Sequence, residues 1–229
     1  MRLPTEVPVV TLPNVILFPQ AMVPLHIYEP RHRRLLADAL ASDRMLSLAM
    51  QRRGRTVESP AAIAGLGLIR ACVRNRDGTA NLILQGIARV ELTRTVRYRP
   101  YRVCRIRLLP PAVGASVAVH ALAAKVMELV KERLQLGLDL PFKALEKPLP
   151  PGIQATDEPV ALQAFRHVLQ KLTKLDAPEQ LADLVSATLL PRAEQRQVIL
   201  ETEDLEARLR CLVKFLIGEI KRQKPSLPE

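Results

Sequence analysis

The side chains best suited to chemistry in this chain are its four histidines, three cysteines, and a carboxylate, Glu29, followed closely by Arg31 and Arg33. None has the spacing its chemistry requires. His26, His32, His120 and His167 form no H-x-x-x-H or H-E-x-x-H pattern, so a helix-borne zinc site has no ligands to build on. Cys72, Cys104 and Cys211 are far apart and odd in number, which excludes a disulfide framework and a C-x-x-C metal or redox pair. They read as free thiols packed in a reducing cytoplasm. Glu29 lies at a strand–helix corner, where a carboxylate beside arginines makes an ion pair or meets helix-start amides. There is no G-x-x-x-x-G-K-[ST] loop and no G-x-S-x-G elbow. "GLGLIR" (65–70) starts like a dinucleotide fingerprint but has Arg70 where the third glycine belongs. The reading is therefore a chain without catalytic residues, metal or cofactor.

The most conspicuous chemistry is arginine. Residues 1–110 hold 18 arginines, no lysine and 7 carboxylates, whereas the remaining 119 residues balance 16 basic against 16 acidic groups. The net charge of +11 thus sits in one half, and such asymmetry raises the prospect of an anionic partner. Arg94, Arg97, Arg99, Arg102, Arg105 and Arg107 fall within fourteen residues. In "VCRIRL", Arg105 and Arg107 share one side and Cys104, Ile106 and Leu108 the other, which makes a half-buried strand with a basic outer side. Arg97, Arg99, Arg105 and Arg107 are the candidate anion-contacting face.

The elements that must carry these groups follow from periodicity. Up to residue 110 the apolar runs are short or alternating and are punctuated by Pro, Gly, Asn and Asp, as strands are. "NRDG" (75–78) predicts a hairpin turn. One helix interrupts the series, starting at Pro30 with Leu35, Leu36, Ala39 and Leu40 inward and "RHRR" toward solvent. Beyond Pro110–Pro111 the period becomes helical. Ser116 is placed to cap one helix carrying Val119, Leu122, Val126, Leu129 and Val130. A proline-broken connector at 139–156, a helix over 157–175 and three further helices follow, the last striped by Leu205, Leu209, Leu212, Leu216 and Ile220. The expected class is α+β: a β-rich lobe over 1–110 and a helical bundle over 111–229, together one unit. No window holds the roughly 18 apolar residues of a membrane span, and the N-terminus lacks the apolar centre of a signal peptide.

Three stretches then carry a resemblance. "VPVVTLPNVILFPQAMVPLHIYEPRHRRLLADAL", "DGTANLILQGIARVEL" and "LADLVSATLLPRAEQRQVILETEDLEARLRCLVKFLIGEI" occur in the order found in the Lon protease N-terminal, substrate-binding domain family. The first is similar to its standalone bacterial members. The resemblance implies a PUA-like β-barrel lobe joined to a helical bundle, with Pro19 and Pro24 bracketing a strand connection. It implies a module that recognises unfolded or extended polypeptide, or a protein partner such as a separate ATPase or protease subunit. The ATPase and Ser-Lys protease modules that follow this domain in Lon have no counterpart before Glu229, so no enzymatic activity is carried over. Phe18, Met22 and Tyr28 are the candidate peptide contacts, set against a reading of all three as core. His26 reads as a packed or hydrogen-bonded core-edge residue. Phe215 and Ile217 are where a partner subunit would be sought. Nucleic-acid binding, RNA above all, through the arginine-rich lobe is the alternative. PUA-like barrels recur in RNA-interacting proteins, but only Tyr98 and Tyr101 offer rings for stacking.

Overall fold

A computed structural model describes residues 3–110, 116–136 and 177–223. The expected connector at 139–156, the helix at 157–175 and His167 lie outside the described residues. Among those described, the strands are β1 (Glu6–Leu12), β2 (Met22–Ile27), β3 (Met45–Met50), β4 (Ile63–Arg74), β5 (Ala80–Arg97) and β6 (Val103–Leu108). The helices are α1 (Pro30–Leu40), α2 (Val117–Gln135), α3 (Pro178–Leu189), α4 (Ala193–Glu201) and α5 (Leu205–Gln223). The class is α+β.

The strands close on themselves. β1 pairs in parallel with β3, β3 with β4, β4 with β5, β5 with β6, and β6 returns to β1. Closure depends on the length of β5, whose first half pairs with β2 (Met22↔Gln85 to Ile27↔Ala80) and whose second half pairs with β6 (Val90↔Leu108 to Arg97↔Val103). β2 is thus a flap on the barrel's rim, paired on one side only. The β4–β5 hairpin turns at Asn75–Gly78 as the sequence predicts, with Gly78 at φ +81°. Pro30 opens α1, the Ser116 hydroxyl accepts from the Val119 amide at 3.2 Å, and Asp204 Oδ1 accepts from the Ala207 amide at 2.8 Å.

Two features differ from expectation. Pro24 lies inside β2 and does not bound it. The Gly86 N–H donates to the Ala21 carbonyl at 2.9 Å, which turns the odd-numbered backbone groups of β2 toward β5 and the even ones outward. The donorless nitrogen of Pro24 therefore faces the open rim, where no ladder bond is lost. His32, expected on the solvent side of α1, is buried with Leu35, Leu36 and Ala39. The turn at 29–32 rolls the imidazole under the helix and leaves Arg31 outside.

Two cores meet at the segment before β2. Leu17 packs in the barrel core with Leu25, Leu46, Leu48 and Leu84. Ile16 and Phe18 pack in the helical core with Leu181, Val185, Leu209 and Leu216. The backbone of 17–18 lies so close on β4 and β5 that a Cβ on Gly65 would sit 2.1 Å from the Leu17 carbonyl oxygen, and one on Gly86 2.0 Å from that of Phe18. "GLG" at 65–67 is therefore a seat for this segment and not a phosphate loop.

Candidate functional site

The alternation of β2 sends Leu25 and Ile27 inward, and Met22, Pro24, His26 and Tyr28 outward. Registration with β5 and β4 extends that outer row into a surface. Met22 lies beside Gln85 and Leu68, Pro24 beside Ile83 and Ala71, and His26 beside Asn81 and Val73. Met22 is 61% exposed, Tyr28 60% and Val73 63%. Tyr28 stacks on His26 with ring centroids 6.1 Å apart, and His26 Nδ1 is 2.8 Å from Asn81 Oδ1. His26 is thus an exposed member of the row and not a core-edge residue. Arg70, Arg74 and Arg76 are exposed along the β4 side. The result is a mixed outer row across three strands, in which Met22, Pro24, Ile83, Ala71 and Val73 alternate with Gln85, His26 and Asn81, with exposed arginines nearby on β4 and its turn.

The three residues expected to contact peptide separate on this framework. Met22 and Tyr28 stand on one face. Phe18 is fully buried among the helices and contributes no surface, because the chain has turned through Leu17 to fill both cores. Phe215 and Ile217 are half-buried against the helical core.

The expected anion-contacting face is partly neutralised. Arg105 Nη2 donates to Glu6 at 3.0 Å, and Arg107 Nε to Glu91 at 2.7 Å. Arg97 lies 4.7 Å over the Tyr101 ring, and the Tyr101 hydroxyl donates to Asp38 at 2.6 Å. Arg99 is exposed at the β5–β6 corner, and Arg94 lies opposite Arg105 in register. The two tyrosines expected as stacking platforms each carry an arginine, Tyr98 that of Arg102 at 5.0 Å.

Two charge clusters, the first partly exposed and the second largely buried, support this frame. Glu58 accepts from the Thr11 hydroxyl at 3.0 Å, Arg102 at 3.1 Å and Arg31 at 2.6 Å. Burial alone would raise its pKa, but the hydrogen bonds from Thr11 and Arg102 and the charges of Arg102 and Arg31 outweigh it and hold the carboxyl low. Glu29 pairs with Arg31 at 2.8 Å, whereas Arg33 Nε turns to the Tyr28 carbonyl at 2.9 Å. Burial lowers the pKa of His32, with Glu29 opposing. In the second cluster, Arg89 on β5 donates to Asp183 on α3, both almost wholly buried. Arg208 reaches Glu179 at 3.0 Å and also donates to the Thr202 and Glu203 carbonyls at 2.9 and 3.0 Å. Burial pushes Arg89 down to about 10 and Asp183 up to about 6, against their mutual attraction. Sequence reasoning did not single out this pair, although both residues stand in the stretches that carry the family resemblance: Arg89 in "GIARVEL" and Asp183 in "LADL".

No group of three or more His, Cys, Asp or Glu among the described residues is arranged to hold a metal ion, and no described helix is long and apolar enough to cross a membrane.

A closed barrel with a one-sided flap, packed on helices through the segment before that flap, is the architecture of Lon N-terminal domains. The structure superimposes on the N-terminal domain of a Mycobacterium avium complex Lon protease with a TM-score of 0.68 at 19% identity, covering 93% of this chain and 98% of that one. It also superimposes on a Lon N-terminal domain protein from Xanthomonas campestris with a TM-score of 0.62 at 20% identity, covering 93% and 99%. The family model of the ATP-dependent protease La (LON) substrate-binding domain matches residues 6–217, and the chain belongs to that family. Lon protease 2 of Myxococcus xanthus is 26% identical over 219 residues, which are 93% of this chain and 24% of that protein. A Lon protease of Roseiflexus castenholzii is 26% identical over 220 residues, covering 95% and 24%. The chain spans about a quarter of the length of these bacterial relatives.

Proposed function

We propose that this chain is a non-catalytic recognition module that takes extended apolar polypeptide onto the outer face of β2, β5 and β4. The observation that supports this reading most directly is the outer row in which exposed Met22, Pro24, Val73 and Tyr28 flank half-buried Ile83 across three strands, with His26, Asn81 and Gln85 beside them. Exposed contiguous apolar surface on a folded chain marks an interaction site. Recognition is by side chains more than by strand addition, because Pro24 interrupts the row of outward amides on the open edge of β2. Arg70, Arg74 and Arg76 favour segments with acidic flanks. Affinity is weak: micromolar binding corresponds to about −8 kcal/mol, within reach of burying a Met, a Tyr and a few smaller groups. The family's description as a substrate-binding domain supports the polypeptide class. A separate ATPase or protease subunit that receives the bound chain, and a cytoplasmic site of action, belong to the same proposal.

The test is fluorescence anisotropy with a labelled, permanently unfolded polypeptide rich in Leu and Phe, at low and moderate salt. The wild-type chain is compared with the Met22→Glu/Tyr28→Glu variant. Both positions are exposed, so folding is kept. Saturable binding that survives added salt and weakens at least about tenfold in the variant is expected. Equal binding by the variant would remove the site from this face. A labelled short RNA serves as the competing probe. Tight RNA binding with none to polypeptide would replace this reading with the nucleic-acid alternative, carried by Arg94, Arg99 and their neighbours.

A further inference from the structure

A cavity of about 340 Å³ opens where the barrel meets the helices, between the end of β6 and the first turn of α3. Its walls are largely apolar: Leu3, Pro19, Ile87, Leu108, Leu109 and Pro110. Arg89 is among its lining residues, with Gln20, Glu179, Gln180 and Asp183. Arg89 is only 5% exposed, and one of its terminal nitrogens, Nη2, is committed to Asp183. Its Nε and Nη1 have no hydrogen-bond partner among the described residues. Buried donors of this kind cost about 1–3 kcal/mol each when left unmet, so they favour any ligand that brings an acceptor.

The same cavity touches the start of α3. That helix begins without a side-chain cap, with Ala177 at the cap position and Pro178, which has no N–H, at the first helical one. The positive end of the helix therefore faces the cavity through the turn carrying Glu179 and Gln180, and helix starts favour anionic groups. Arg89, Asp183 and half-buried Glu179 line the cavity, and Arg208 lies outside that lining, 3.0 Å from Glu179 and 3.9 Å from Asp183. The two carboxylates are thus each offset by a guanidinium, and the open Nε and Nη1 of Arg89 are the donors left for an incoming anion. A guanidinium binds a carboxylate about twice as strongly as a neutral carbonyl. The volume is near the lower end of small-ligand sites, and the apolar walls suit a short aliphatic body.

We infer that this junction cavity is a receptor for a carboxylate carried on a short apolar body, with its oxygens toward Arg89 and the first turn of α3. The inference stands apart from the β2 face and does not require it. Two sources share this chemistry: a free branched short-chain carboxylate, and the C-terminal end of a polypeptide with an apolar last residue.

The test uses the full chain and three probes: 4-methylpentanoate, N-acetyl-Leu-Leu with a free carboxylate, and the same dipeptide as its amide. Binding is read from the NMR shifts of arginine Nε–H groups, with the Arg89 signal assigned by its loss in Arg89→Lys. Expected is a saturable shift of that signal at or below about 1 mM with one or both carboxylates, and none with the amide. Binding of the free acid alone identifies a small metabolite as the ligand, and binding of the dipeptide identifies a chain terminus. Because Arg89 variants strip Asp183 of its partner, Gln180→Glu is the deciding variant. An acid in the first turn of a helix is stabilising, so the fold is kept while the carboxylate is repelled, and affinity falls about tenfold or more. Equal binding of the amide, unchanged binding in Gln180→Glu, or no shift with any probe would each overturn the inference.

Discussion

Leu17 and Phe18 are adjacent in sequence and serve different cores, which places the most demanding packing of the molecule on the glycines beneath them. Gly86 is a strand residue, and its role is to be absent: a methyl there would meet the Phe18 carbonyl oxygen at 2.0 Å, and that oxygen belongs to backbone that cannot swing aside. Gly86→Ala is therefore expected to cost about 3 kcal/mol or more, the upper end for overpacking, measured as the shift in urea midpoint at constant slope. The contrasting substitution is Val73→Thr, which exchanges one β-former for another at an exposed strand position and is expected to stay within about 0.5 kcal/mol of wild type. A Gly86→Ala protein as stable as wild type would mean that the 17–18 segment does not hold both cores together.

At the scale of elements, what was legible in the sequence was what is decided locally. Pro30, Ser116 and the Asp77–Gly78 pair fix the ends of elements through their own backbone chemistry, and each does so where it was read. The helical stripes, Val119 to Val130 and Leu205 to Ile220, are buried as their period requires, with Leu122 alone half-buried. Strand faces were less legible, because alternation separates two sets of residues without saying which set is inward. The outer row Met22, Pro24, His26 and Tyr28 carries a long apolar side chain and an aromatic ring beside its imidazole, so it does not read as a plain solvent face against Val23, Leu25 and Ile27, and registration with β5 decides between them. His32 was misassigned for a similar reason: a polar residue in "RHRR" reads as surface, yet α1 docks through it. That docking has a pH signature. Burial depresses the folded pKa of His32 below its ordinary value near 6.5, so the unfolded chain binds a proton first as pH falls. The stability from this group is complete above about 6.5 and declines below it. Chemical unfolding of wild type should weaken from pH 7 to pH 5.5, and His32→Leu should flatten that part of the profile. A variant with the wild-type slope would assign the loss to other groups. Glu58, whose carboxyl is held low, contributes the same sign only in more acid solution, as pH falls through the carboxylate range.

For the molecule as a whole, the question is what makes a barrel and a set of helices one folded unit. Phe18 crosses between them, Arg196 Nη2 donates to the Asn14 carbonyl at 3.0 Å and Gln197 Nε2 to that of Ile63 at 2.9 Å. The deepest link is Arg89 to Asp183, 94 residues apart. No single stretch could reveal it, since each residue looks like an isolated charge in an apolar run until the fold brings the two together. A buried pair of this kind is strongly destabilising when halved and nearly neutral when replaced whole. Arg89→Met and Asp183→Leu are each expected to cost about 3–5 kcal/mol, and the double variant far less than their sum. Asp183 adds a check by sign. Its folded pKa is raised to about 6 by burial, so between about pH 4 and 6 the native state keeps a proton that the unfolded chain has lost. In that window this group makes the protein less stable as pH rises. The double variant lacks the group, so its stability relative to wild type should improve from pH 4 to pH 6 and stay level above that. Urea unfolding of all four proteins at pH 4.5, 6 and 7.5 measures both effects. An additive cycle with parallel pH profiles would mean that the pair is a bystander and that Phe18 and the α4 contacts alone unite the two cores.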